Sequence, residues 1–308
     1  MIQDTGNTSR RAFLAGSLSA AALRGAQARP SVAITMDDMH WMRLAQPMQV
    51  NGRILSIAGR HNLQFALFVI GQNADSDTGR AIVRGWQAAG HLIGNHTWSH
   101  RRYADGMTFE DFSADVLRGD AVLKDSLSGP RLFRFPTLAE GDTVVKRDQM
   151  REFLRQHGYR NGHVTIDASD WYYDARLAER LKREPGFDVK RFRQPYLDHL
   201  WERAQFYDGL SRRVLGRSVP HTLLIHYNLL NSLFLEDVLG MFIQRGWRIA
   251  GAGETFQDAV FQRSPNSMPS GQSLLWALAK ESGKFDSELR YPGEDDVYEK
   301  PKLDRLGL

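Results

Sequence analysis

Two histidines stand four residues apart in Gly94-Asn95-His96-Thr97-Trp98-Ser99-His100. A neutral imidazole is a common ligand for zinc and related metals. On a helical turn, residues i and i+4 share one face and reach one ion. The same spacing also describes two polar side chains on a surface turn, so a third ligand and a reactive group must come from elsewhere. Candidates follow short apolar runs. "SVAITM" leads into Asp37-Asp38, and "RLFRF" into Arg134-Phe135-Pro136. "GHVTID" leads into Asp167-Ala168-Ser169-Asp170-Trp171, and "TLLIHY" holds Leu224-Ile225-His226. Each has an ordinary alternative. Paired aspartates cap turns, strand-end histidines are hydrogen-bonded, and an arginine makes a surface ion pair. Asp170 and Trp171 read equally as a helix cap and a packed aromatic. Their recurrence at successive strand ends is what those readings leave unexplained. The chain has no cysteine, so any metal must be held by histidines and carboxylates.

Such residues meet only if the elements carrying them end on one rim. The apolar, β-branched runs predict seven strands: 31–36, 64–71, 91–95, 131–135, 162–167, 222–227 and 246–251. Helical spacing fills the gaps at 48–60, at 78–90 from Thr78 to a glycine stop, at 108–127 behind a Thr108 cap, at 146–157 and near 233–245. Strands alternating with helices imply parallel βα units with their loops gathered at the strands' C-terminal ends. The expected class is α/β; the family resemblance described below implies that its sheet is a distorted (β/α) barrel. Residues 171–219 break the rhythm as a charged helical insertion. Residues 256–308 read as a polar tail with one short helix around 272–281, packing on a barrel of residues 29–255.

The 308 residues are 42% hydrophobic and 25% charged, an ordinary globular balance. Net charge is +4, and the sequence holds no dense basic run or RNA-binding signature, so nucleic acid is not an expected partner. No segment after the N-terminus has the length and purity of a transmembrane helix. At the start, "SRRAFL" (9–14) precedes a short weakly apolar run and the small residues Ala26 and Ala28. This arrangement resembles a twin-arginine export signal over residues 1–28, implying a periplasmic or extracellular protein. Without residues 1–28 the chain carries +2.

In order and spacing, "TMDD" (35–38), "HTWSH" (96–100), "RFPT" (134–137), "DASDW" (167–171) and "LIH" (224–226) resemble the five motifs of the polysaccharide deacetylases. These form carbohydrate esterase family 4, with the nodulation-protein-B homology domain. The resemblance spans about residues 31–250 and implies hydrolysis of N-acetyl, or sometimes O-acetyl, groups on a glycan. It implies that Asp38, His96 and His100 hold a divalent metal, most often Zn2+, with Co2+ or Ni2+ as alternatives. Three N/O ligands leave positions open for a water and the substrate carbonyl. By the same resemblance Asp37 is the general base, oriented by Arg134. His226 is the general acid, oriented by Asp170. Leu224 lines the acetyl pocket, Trp171 walls the sugar groove, and Pro136 and Thr137 border the substrate.

Two positions depart from the family pattern. Thr137 stands where the family has tyrosine, which removes ring contacts but keeps a backbone donor. Met36 stands where the family has phenylalanine, a change packing tolerates. His40 and Trp41 read equally as sugar contacts or loop packing. His61, His91, His157, His163, His199 and His221 have no motif context and read as structural or surface residues. A chitooligosaccharide-like substrate is the working expectation. Hydrolysis of a small non-peptide amide and non-catalytic glycan binding on the same barrel are the alternatives. Oligomeric state has no sequence signal.

Overall fold

The computed structural model describes residues 29–308 except Asp105 and Ser128, together with Met1 and Gln3. The twin-arginine stretch lies outside the described residues. The central strand is β1 (Ser31–Asp38), buried along nearly its whole length. A continuous apolar run of this kind belongs in the middle of a parallel sheet with both faces covered. Around it stand β2 (Ala66–Val69), β3 (Leu92–Asn95), β4 (Leu132–Phe133), β5 (Arg160–Asn161), β6 (Pro220–His226) and β7 (Arg248–Ile249). The strands are parallel in the order β5-β4-β3-β2-β1-β6, and β7 pairs with the first residues of β1. The helices in chain order are α1 (Pro47–Arg60), α2 (Gly71–Ala74), α3 (Asp77–Ala88), α4 (Phe109–Leu123), α5 (Val144–Gln156) and α6 (Asp170–Arg183). They continue with α7 (Arg193–Leu215), α8 (Leu229–Gln244), α9 (Ala252–Thr255), α10 (Leu274–Ser282) and α11 (Asp296–Arg305). None of the described helices is long and apolar enough to cross a membrane.

Register decides what meets at the rim. Asp37 lies opposite His226 of β6 and Phe68 of β2. Val69 lies opposite Asn95, and Asn95 opposite Phe133. Asp37-Asp38, His96, Arg134 and His226 therefore leave the sheet at one level, at its C-terminal edge.

Three local expectations need correction. The run 162–167 is not a strand, because only Arg160–Asn161 pairs with β4. Past Gly162 the chain swings across to β6, where Ile166 makes a single parallel bridge to Leu223. Side chains extend this short pairing: Ile166 N–H bonds the Thr222 carbonyl at 2.9 Å and Leu224 N–H the Ile166 carbonyl at 3.0 Å, while Thr165 and Thr222 each take the other's backbone N–H on a hydroxyl, at 3.1 and 2.8 Å. That narrow seam closes the sheet into a distorted barrel. Second, α3 starts one residue before Thr78 and is capped by Ser76, which accepts the Gly79 N–H. Third, the tail holds α11 as well as the one short helix expected around 272–281, which is α10. Thr108 does cap α4, accepting from Asp111 N–H.

The tail covers the open end of the barrel. Leu274 N–H bonds to the Val164 carbonyl at 2.7 Å. Glu294 pairs with Arg203 of α7 at 2.6 Å, both almost fully buried. Glu299 of α11 stands against His199 of α7 at 3.2 Å.

Candidate active site

β1 ends in the paired aspartates Asp37 and Asp38. Asp38 has φ +78° and Met39 φ +49°, an unusual left-handed pair of non-glycine residues. Backbone strain of this kind persists only where surroundings over-determine it, and it gathers at functional sites. After β3 the chain repeats the device, with Thr97 at φ +64° and His100 at φ +59°. Buried Asn95 holds this loop, accepting the Thr97 N–H at 2.9 Å and donating to the Val116 carbonyl at 3.0 Å. Thr97 Oγ1 accepts the His100 N–H at 3.0 Å. Gly119 lets α4 press against the loop, since a Cβ there would stand 2.7 Å from Asn95 Oδ1. The loop, not helical periodicity, brings the His96 and His100 rings to 4.8 Å.

The ligand atoms of Asp38, His96 and His100 all lie within 4.8 Å of one another. His96 Nε2 is 3.3 Å and His100 Nε2 3.0 Å from Asp38 Oδ1. That oxygen is buried and accepts no hydrogen bond. Two ring nitrogens converging on one orphaned carboxylate oxygen could be satisfied by a shared cation. The other nitrogen of His96, Nδ1, donates to the Arg134 carbonyl at 2.7 Å, the outer-shell bond that fixes the tautomer of a metal-binding histidine. Burial opposes charge on Asp38, but the neighbouring His100, His40 and His96 rings outweigh it and hold the carboxyl well below its usual range. The donor set fits a borderline divalent metal.

Arg134 serves both aspartates. Its carbonyl orients His96, and its Nη1 donates to Asp37 Oδ1 at 2.5 Å and to Thr35 Oγ1 at 3.0 Å. Its Nε donates to the Gly162 carbonyl at 2.8 Å, and the guanidinium lies 3.8 Å over the Phe68 ring. Arg134 is wholly buried and does not reach the cavity. On the opposite side, His226 Nδ1 bonds Asp170 Oδ1 at 2.7 Å. Asp170, the first residue of α6, also accepts from the His226 N–H at 2.8 Å and from Asn231 at 2.7 Å. Burial disfavours the imidazolium, but Asp170, with smaller help from Asp38 and Asp37, overcomes this and pushes His226 up to about 10. A bound dication offsets the share due to Asp38 and Asp37.

Asp37, Asp38, His96, His100 and His226 line one cavity of about 380 Å³, shared with Thr137, Trp171 and Leu224. Pro136 does not line it. It is buried and opens the turn in which Thr137 and Leu138 take φ +52° and +56°. Met36 is fully buried.

Matching with known proteins then adds what geometry cannot. Residues 24–162 match the polysaccharide deacetylase family. Over that stretch, a little under half of its length, the chain is similar to the polysaccharide deacetylases. A peptidoglycan-N-acetylglucosamine deacetylase of Bacillus cereus is 29% identical over 152 residues, 49% of this chain and 50% of that protein. A Listeria monocytogenes enzyme of the same name is 22% identical over 56% of this chain and 33% of its own. The chain thus spans half or less of the curated relatives it matches. Among solved structures, the chitin deacetylase of Colletotrichum lindemuthianum superposes with a TM-score of 0.52 at 19% identity, covering 76% of this chain and 90% of that one. A carbohydrate esterase family 4 pseudoenzyme from Bacillus anthracis superposes with 0.51 at 15% identity, over 74% and 66%. The barrel is therefore the fold of this family. Because a pseudoenzyme shares it, activity has to be argued from the residues of the site.

Motif reasoning left His40 and Trp41 undecided, gave Asp167 no role, and missed Asn73 and the tail residues of this site. His40 Nε2 lies 3.3 Å from Asp38 Oδ2. Asn73 joins them, donating to the Asp38 carbonyl at 3.1 Å, with His40 Nδ1 at 3.2 Å. Its own carbonyl receives the Trp41 indole at 2.8 Å. His40 and Trp41 thus brace the metal-ligand turn. Asp167 faces the cavity, and burial pushes it up to about 6. The far wall comes from the tail: Gly271, Gln272, Tyr291, Pro292 and Glu294. At Gly271 (φ +92°) a Cβ would stand 2.5 Å from the Ala139 Cα, so the tail lies directly on the Thr137 turn. The signal available for the tail was its Gly/Pro content, which says turn but not where the turn lands.

Proposed function

We propose that this chain is a metal-dependent deacetylase that hydrolyses the N-acetyl group of a glycan built on N-acetylglucosamine, chitooligosaccharide-like or from peptidoglycan. The observation that carries the reading is that an ion-paired carboxylate, a three-ligand cluster and a carboxylate-backed histidine all face one cavity. A divalent cation held by Asp38, His96 and His100, with Zn2+ the best fit to two imidazoles and a carboxylate, supplies Lewis acidity. Asp37, kept in place by Arg134, takes the proton of the attacking water. His226, kept protonated through neutral pH by Asp170, gives a proton to the departing nitrogen. The Thr137 N–H offers a backbone donor to the developing oxyanion. Leu224 accepts the acetyl methyl, and the exposed face of Trp171 accepts a sugar ring.

Glycan binding alone does not favour a buried Asp37–Arg134 pair beside an orphaned carboxylate oxygen, because burying such charges is expensive. A deacetylating site gives those groups work. The "SRRAFL" start and the wall-acting names of the relatives support export by the twin-arginine route. The test is acetate release from N-acetylated oligosaccharides by chelator-stripped protein refilled with Zn2+, Co2+ or Ni2+. Release that returns with metal is expected. Equal release by stripped protein, or none with any metal, would overturn the reading.

A further inference from the structure

A second cavity of about 770 Å³ adjoins the first. The two share Asp38, Trp171 and His226, so they are arms of one space. This arm runs between the 40–53 segment, which includes the start of α1, and the outer face of α6. Its floor is apolar, with Leu44, Val50, Ala178, Leu181 and Leu229. Its rim carries Arg43, Arg53 and Lys182, all exposed and none ion-paired among the described residues. Its carboxylates are committed elsewhere. Asp38 belongs to the metal cluster, and Asp174 accepts the Leu230 N–H at the start of α8 at 2.9 Å. Burial further disfavours charge on Asp174 and pushes it up to about 6. The first arm has no such surplus: its walls give Asp167 and Glu294 together with Arg102, and Glu294 is ion-paired with Arg203 and Arg290. Cations without a carboxylate partner therefore gather at the end of the space toward α1 and α6.

We infer that the basic arm is a subsite for an anionic sugar, a carboxylate-bearing unit next to the acetylated unit at the metal cluster. The inference rests on the deacetylase reading above and narrows its substrate class to acidic glycans. Trp171, 42% exposed and common to both arms, is placed to stack on a ring at their junction. The apolar floor suits the apolar face of the next ring. Two guanidiniums and an ammonium suit its carboxylate, since guanidinium matches carboxylate in shape. One exposed pair contributes little. Three unpaired cations lining a cleft focus their field on what enters.

The experiment compares two oligosaccharides of equal length with Zn2+-loaded protein. One is an all-N-acetylglucosamine oligomer, and the other alternates N-acetylglucosamine with a uronic acid. The kcat/KM ratio of acidic to neutral substrate is expected to exceed about tenfold and to shrink as salt rises. In the triple variant R43Q/R53Q/K182Q, with metal content and Tm checked against wild type, that ratio is expected to fall about tenfold. Calorimetry with the de-acetylated acidic oligosaccharide reads the same subsite without turnover, and binding lost in the triple variant supports it. Acetate release from the neutral oligomer with no preference for the acidic one overturns the subsite alone. Release from neither substrate overturns the deacetylase reading, and calorimetric binding that ignores the three cations then overturns the subsite too.

Discussion

The strand-end rim and the wall supplied by residues 264–308 face each other across one cavity, yet different physics builds them. The rim is local. Asp38, Met39, Thr97 and His100 hold left-handed backbone, and each is fixed by neighbours a few residues away in sequence or one strand away in register. The wall is remote. Glu294 is held by Arg203, some ninety positions earlier in the chain, and Gln272 by the Gly293 N–H at 2.6 Å. Local strain places ligand atoms closely, as a metal requires. Long-range ion pairs set the cavity's depth and outline, which bear on the substrate more than on the chemistry. Damage to the rim should therefore abolish turnover, and damage to the wall should weaken substrate binding or stability while sparing the metal.

The largest effect is expected for His96→Ala. It removes a ligand and frees the Arg134 carbonyl, so metal content and turnover should fall together, turnover by about 10³-fold or more. Plasma emission for bound metal beside acetate release checks this. A variant that keeps both would take His96 out of the site. Next is Asp37→Asn, which leaves the three ligands intact. Metal content is expected to stay near wild type while kcat falls by about 10²- to 10⁴-fold, the usual worth of a general base. If the metal leaves as well, base and ligand functions are not separable at the end of β1.

On the wall, Glu294→Gln removes the carboxylate that Arg203 and Arg290 share; burial pushes that carboxyl up to about 8, so the full cost of breaking the pair, about 3 kcal/mol, is expected above that pH. Urea unfolding is expected to show that loss. KM should rise more than kcat falls, with metal content unchanged. A drop in kcat accompanied by metal loss would show that wall and rim are mechanically one unit and would break the comparison.

This division also explains what was readable beforehand. Asp37, Asp38, His96, His100, Arg134, Asp170 and His226 lie within short motifs, and register then brings them together. Pattern reasoning reached them because a parallel sheet aligns its strand ends whatever the loops do. It failed at 162–167, where threonine hydroxyls extend a single bridge and apolar alternation no longer signals pairing. The His96/His100 spacing fitted a helical turn and a surface turn alike; two left-handed residues bring the rings together, and φ has no clear mark at Thr97 or His100. His40 was visible but ambiguous, because its meaning depends on Asn73, which belongs to another loop. Glu294 and Gln272 were invisible. A charged residue in a Pro/Gly-containing tail looks solvated until a partner across the fold is known.

The smallest expected effect probes how separable the wall is. Glu299 of α11 is buried beside His199 Nδ1 at 3.2 Å, Lys302 at 3.3 Å and the Tyr173 hydroxyl at 3.3 Å. His199 Nε2 accepts the Ser169 N–H at 2.9 Å, so its proton sits on Nδ1, toward the carboxylate. Burial alone raises the Glu299 carboxyl, but His199 and Lys302 outweigh it and push it down to about 2 from an ordinary 4.5. A group depressed on folding binds fewer protons in the native state than in the unfolded one. Its stabilisation is thus complete above about 4.5 and is lost as pH falls toward about 2. Glu299→Gln keeps an acceptor for Nδ1–H but loses the charge, so about 2 kcal/mol of stability at neutral pH should go. The gap from wild type should narrow through that acid window, because wild type then loses what the variant never had. Hydrogen exchange locates the loss. Faster exchange in α10 and α11, with β1 and β3 still protected, would mark the tail as its own cooperative unit. Uniform acceleration would mean that tail and barrel open together, and that the wall's remoteness in sequence has no counterpart in its energetics.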